Sequence, residues 1–180
     1  MKFKCNHSND IIEKIRRVDF KLNKEKHQID TYFLVSKRSK DGTWDYLRIR
    51  EENKKYSFDY HRVLNEMEAE EREIKVNDKD KLIEIMGFLC YKIKCVIDKK
   101  RKEYKKENIS IVFDEVKSLG KFIEIEFIGE SNERNKRKVL NLAEFLELNK
   151  KHRIECDGYP DLFLKNDNKQ MEIRWKRCCV

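Results

Sequence analysis

Proline and glycine are scarce: the chain has one proline, Pro160, and five glycines in 180 residues. Strand-length stretches therefore run without interruption, and no Gly/Ser-rich or Pro-rich segment offers a flexible spacer. Modules on linkers are excluded, and one domain over 1–180 is expected. The six cysteines, Cys5, Cys90, Cys95, Cys156, Cys178 and Cys179, include no pair at C-x-x-C spacing, which argues against a zinc or dithiol site. The adjacent Cys178 and Cys179 do not fit a prenylation signal. No apolar run is long enough to span a bilayer and no secretory leader is legible, so the expectation is a cytoplasmic protein with reduced thiols and no membrane partner.

Charge, by contrast, is abundant. Charged residues make up 42% of the chain against 39% hydrophobic, which still suffices for a single core. Forty-two basic against 34 acidic side chains leave a net charge of +8, so an anionic partner is expected: a nucleotide, another polyphosphate or a nucleic acid. Charge alone does not choose among these.

The pattern of the charge is more informative than its amount. In Phe122-Ile123-Glu124-Ile125-Glu126-Phe127, strict alternation puts Ile123, Ile125 and Phe127 on one side of a strand and two carboxylates on the other. Tyr46 to Arg50 alternates likewise around Arg48 and Arg50, and Val96 to Arg101 sets Lys99 and Arg101 on a common side. A sheet with one solvated face also alternates. If the strands instead curl into a barrel, their polar sides converge on a cavity that mixes carboxylates with Arg and Lys, as a metal-polyphosphate ligand requires.

Along the chain, strands are predicted at about 1–5, 20–22, 28–35, 44–51, 55–63, 70–76, 91–104, 109–113 and 122–128. Helices are predicted at 10–17, capped by Ser8, from Asp78 to Leu89, and at 136–148, with a late strand at 170–176.

The order of motifs resembles the CYTH superfamily, the triphosphate tunnel enzymes, which include class IV adenylyl cyclases, thiamine triphosphatases and inorganic triphosphatases. Gln28-Ile29-Asp30-Thr31-Tyr32-Phe33 resembles the family's D-x-Y strand, Leu47-Arg48-Ile49-Arg50 its L-R-x-R strand, and Lys99 to Tyr104 its K-x-R-x-x-Y strand. Phe113 to Glu126 resembles the D-x-V-x-x-L-G-x-F-x-E-I-E signature, with Gly120 at the turn. Two positions depart from the pattern. The chain begins Met1-Lys2-Phe3-Lys4, so Lys2 matches the lysine of E-x-E-x-K without its two glutamates, and His61 stands where relatives usually carry lysine.

The resemblance implies an α+β fold, a single-domain antiparallel eight-stranded β-barrel, or tunnel, flanked by helices. It implies that Lys2, Arg48, Arg50, Lys99 and Arg101 bind phosphate, that Asp114, Glu124 and Glu126 hold Mg2+ or Mn2+, and that Tyr32, His61 and Glu124 are the catalytic candidates. A nucleotide or other polyphosphate small molecule is the implied partner, with a homodimer as the implied assembly. Three readings stay open. One is a metal-dependent triphosphate enzyme of the adenylyl cyclase or triphosphatase type, with the cyclase type ahead. Another is a divergent member that cleaves or senses another adenine nucleotide with little metal dependence. The third is a nucleic-acid binder, disfavoured because no nucleic-acid motif or basic-aromatic cluster is present.

Overall fold

Alternation and turn chemistry explain most of the strands. A computed structural model of the chain describes residues 1–5, 7–33, 44–65, 68–130, 132–148, 151, 153–154 and 158–165. Its elements are, in order, β1 (Lys2–Lys4), α1 (Ser8–Arg17), β2 (Lys21–Phe33), β3 (Trp44–Glu52), β4 (Lys55–Asn65), β5 (Glu68–Val76), α2 (Lys79–Phe88), β6 (Ile93–Lys106), β7 (Ile109–Val116), β8 (Gly120–Phe127) and α3 (Glu133–Phe145). A further helical segment covers 159–165. The strands form one antiparallel sheet in the order β1-β8-β7-β6-β2-β3-β4-β5, so the α+β class and the eight antiparallel strands stand. The sheet is open: among the described residues no ladder joins β1 to β5.

The chain forms two compact units. One comprises Met1–Gln28 and Asp98–Glu155, the other Ile29–Ile97 with the described residues of Cys156–Val180. In the first, Phe3 pairs with Ile123 across β1 and β8, and Phe113 pairs with Ile123 across β7 and β8. These side chains, with Ile111 and Ile125, form an apolar face, and α3 lies against β8. Tyr104 and Phe113 meet edge to face, with ring centroids 5.6 Å apart. In the second, Phe33, Ile49 and Met86 are buried together, and Leu47, Phe58, Leu82, Ile83 and Tyr91 pack around them. The helix α2 thus covers one side of its strands and leaves the other side polar.

Local signals fix several boundaries. Asn53 and Lys54 both have positive φ, at 51° and 60°, and join Glu52 to its partner Lys55 in a two-residue hairpin whose twist suits the strands. Gly120, at φ +106°, takes a conformation that L side chains rarely adopt, at the start of β8. Asp78 caps α2 as predicted, accepting from the Lys81 backbone N–H at 3.0 Å.

Other elements differ from the prediction. The helix α1 includes Ser8, and the capping position falls to His7, which makes no side-chain cap bond. The helix α3 begins earlier than predicted, because Asn132 caps it by accepting from the Asn135 backbone N–H at 2.9 Å. The predicted strands at 20–22 and 28–35 are one strand, β2. Its polar middle is held by pairs across to β6, with Asn23 donating to Glu103 at 2.8 Å, Glu25 at 3.1 Å from Lys102 and His27 at 2.7 Å from Asp98. The predicted late strand lies outside the described residues. No helix among the described residues is long and apolar enough to cross a membrane.

Ile123 has no exposed surface, so Ile123→Ala is expected to cost about 2–5 kcal/mol in urea unfolding. Asn132→Ala, a lost cap, should cost about 1 kcal/mol. Equal losses in the two variants would contradict this packing.

Candidate functional site

The polar side of each unit carries its own cluster of opposite charges. In the unit containing Ile29–Ile97, residues opposite one another across β3, β4 and β5 share a face, so the hairpin register brings Arg48 to Asp59 and Tyr46 to His61, and β5 adds Glu71 opposite His61. Arg50 donates from Nε and Nη2 to Asp30 at 2.7 and 2.9 Å, a bidentate pair. Arg48 donates from Nε to Asp59 at 3.0 Å. Its terminal nitrogens stand 3.8 Å from Asp30 and 3.7 Å from Glu71, beyond hydrogen-bond reach. Asp30 and Asp59 have no exposed surface. Two neighbouring guanidinium groups are thus held by carboxylates behind them.

Burial disfavours charge on both arginines, but the carboxylates prevail and hold their pKa values above the ordinary range. Tyr32 lies beneath Arg48, whose guanidinium carbon is 5.9 Å from the ring centroid. Burial pushes the Tyr32 phenol up to about 12, so it stays protonated. Tyr46 stands edge-on to Tyr32 at 6.0 Å and donates to Asp161 at 2.7 Å, tying the segment 159–165 to this face. Asp59 Oδ1 is buried without a hydrogen-bond partner, and burial raises the acid's pKa.

In the unit containing Met1–Gln28, Arg101 donates from Nε and Nη2 to Asp114 at 2.7 and 2.5 Å, and from Nη2 to Glu124 at 3.0 Å. Lys2 meets the other Glu124 oxygen at 2.7 Å. Lys99 is buried, 2% exposed, on the same face of β6 as Arg101, two residues away. Burial works against the Glu124 charge, but Lys2 and Arg101 overcome it and hold the carboxyl well below its usual range. Glu126 shares the Glu124 side of β8 and is exposed.

The structure therefore gathers Lys2, Arg101, Asp114 and Glu124 into one ion-paired group and Tyr32, Arg48, Arg50 and His61 into another. The sequence reading missed Asp30, Asp59 and Glu71, the acids that hold the second group. As a metal site the first group does not fit. Both oxygens of Asp114 and of Glu124 already meet side-chain cations, and no three His, Cys, Asp or Glu among the described residues are placed to hold an ion.

The eight-stranded antiparallel sheet is that of the tunnel-fold class, a family that binds nucleotide or triphosphate substrates. The chain belongs to the CYTH domain family, which matches residues 1–155. Members of this family are as a rule enzymes that bind nucleotides or other triphosphates, and are generally dependent on a divalent metal. A Methanocaldococcus jannaschii protein named as a candidate adenylate cyclase is 34% identical over 162 residues, spanning 88% of this chain and 90% of its own. Solved structures from Pyrococcus horikoshii and Pyrococcus furiosus superpose with TM-scores of 0.79 and 0.78 at 29% and 30% identity, each covering 89% of this chain and 96% of theirs.

Because Glu124 is held below its unfolded value, near 4.5, its contribution to stability is complete above that pH and is lost as pH falls toward the folded pKa. Glu124→Gln should therefore show a shallower loss of urea stability than the parent below about pH 4.5. An acid limb of unchanged steepness would contradict the ion-pair geometry.

Proposed function

We propose that the chain is an enzyme that binds a nucleotide or organic triphosphate through its buried arginines and breaks a phosphoanhydride bond, most like an adenylyl cyclase. The observation that carries this reading is the Arg48–Arg50 pair, anchored from behind by Asp30 and Asp59. Guanidinium groups fixed before binding meet phosphate oxygens in bidentate geometry at little entropic cost. Tyr32, beneath the Arg48 guanidinium, supports it. The name of the Methanocaldococcus jannaschii relative points the same way.

In the cyclase reaction the ribose 3′-oxygen forms a bond to the α-phosphorus and the bond from that phosphorus to the bridging oxygen breaks. Pyrophosphate leaves with the electron pair, and the hydroxyl proton passes to a base. In a hydrolase, water attacks the terminal phosphorus instead, the bond from that phosphorus to its bridging oxygen breaks, and the products are orthophosphate and the diphosphate. Of the three catalytic candidates, Glu124 is held charged by two cations and is a weak base, and Tyr32 keeps its proton. His61 is the fitting proton acceptor.

A second reading, a divergent enzyme or sensor for another adenine nucleotide with little metal dependence, is favoured by Arg101 lying between Asp114 and Glu124, where the family expectation places Mg2+ or Mn2+. In either reading 1–180 acts as one CYTH-like domain in the cytoplasm, as a homodimer.

Incubation with ATP, thiamine triphosphate and tripolyphosphate, with magnesium, manganese or a chelator, should give cyclic AMP and pyrophosphate from ATP by mass. Orthophosphate would favour the hydrolase, turnover in chelator the second reading, and no product with any of them would contradict the proposal. Arg50→Lys keeps the charge but loses the fork, and should weaken tripolyphosphate binding by about tenfold in calorimetry. Unchanged affinity would count against the arginine assignment.

A further inference from the structure

His61 and Glu71 stand directly opposite each other on β4 and β5, and His61 Nδ1 lies 2.7 Å from Glu71 Oε1. The hydrogen bond to His61 holds the Glu71 carboxyl down to about 2 against the opposing effect of burial, so at neutral pH Glu71 is a carboxylate. A carboxylate only accepts hydrogen bonds, so the hydrogen sits on Nδ1, and the lone pair of the neutral ring is on Nε2. The same Glu71 oxygen is 3.7 Å from Arg48 Nη2. One carboxylate therefore faces both the histidine and an arginine assigned to phosphate.

The groups that share this face with His61 are Tyr46, Arg48 and Arg50 on β3, Asp59 on β4, Glu73 and Lys75 on β5, and Asp30 and Tyr32 on β2, with Asp161 and Lys94 reached through Tyr46. Arg48 is already bonded to Asp59 and Tyr46 to Asp161, which leaves Glu71 as the acid in contact with the ring.

We propose that Glu71 is a positioning residue for the reaction: it fixes His61 as the Nδ1–H tautomer, so that Nε2 takes the proton of the attacking hydroxyl. The proposal rests on the triphosphate reading above. The attacking O–H, ribose or water, gives its proton to Nε2, and its electron pair becomes the new oxygen–phosphorus bond. The imidazolium that forms is neutralised by Glu71.

The test uses the full chain, with nitrogen-15 NMR of the imidazole in the parent, Glu71→Ala and Glu71→Asp. Glu71 is half exposed, so the variants should fold, which circular dichroism checks. The parent should show the Nδ1–H pattern, and Glu71→Ala a drift toward Nε2–H. Glu71→Asp should restore part of the parent pattern. On whichever triphosphate is turned over, kcat should fall in Glu71→Ala with KM little changed and recover in part in Glu71→Asp. An Nε2–H ring in the parent, a tautomer indifferent to Glu71, or a kcat that stays put while the tautomer moves would each overturn the proposal. If no triphosphate is turned over, the functional reading falls and the NMR arm alone decides the pair.

Discussion

Asp30 is the group on which the polar face of the Ile29–Ile97 unit depends. It has no contact with solvent, and a carboxylate so placed is tolerated only when cations and hydrogen bonds surround it. Arg50 closes on both of its oxygens and Arg48 approaches from the side. The dependence is mutual, because two guanidinium groups two residues apart on one strand repel each other unless acids lie between and behind them. Asp30 and Asp59 supply that compensation, and they fix the arginines in one geometry before any ligand arrives. Rotamer freedom lost in folding need not be lost again in binding.

The Met1–Gln28 unit solves the same electrostatic problem in the opposite sense. There Arg101 spans two acids, Asp114 and Glu124, and Lys2 completes the neutralisation of Glu124. The acids stay charged and occupied, which is why Glu124 is poorly suited to take a proton or a metal ion in this arrangement. His61, hydrogen-bonded to Glu71, is the remaining catalytic candidate.

Much of this was legible from residue order. Alternation correctly set Glu124 and Glu126 opposite Ile123 and Ile125, and Arg48 beside Arg50. The partner of Arg48 was also within reach: counting back from the two-residue turn at Asn53-Lys54 pairs Arg50 with Ser57, Arg48 with Asp59 and Tyr46 with His61. Asp30 sat two residues from Tyr32 and hence on its face, but an aspartate in a strand carries no signal of what it faces across the sheet. Glu71 was hidden for a different reason. The ladder between β4 and β5 shifts register between Val63 and Asn65, so a count from Asn65 and Glu68 pairs His61 with Arg72 and turns Glu71 to the wrong side. The unity of β2 was obscured by its run of polar residues, which looks like a turn until the charged side of β6 is set beside it. The ring of ion pairs around Glu124 required tertiary placement of β1, whose three residues carry little pattern of their own.

The most direct measurement is a crystal structure of the intact chain with tripolyphosphate. The account predicts phosphate oxygens within hydrogen-bond distance of the terminal nitrogens of Arg48 and Arg50, with Asp30 still closed on Arg50 and Asp59 on the Arg48 Nε. A polyphosphate bound away from both arginines, or arginines that abandon their aspartates to reach it, would contradict the account.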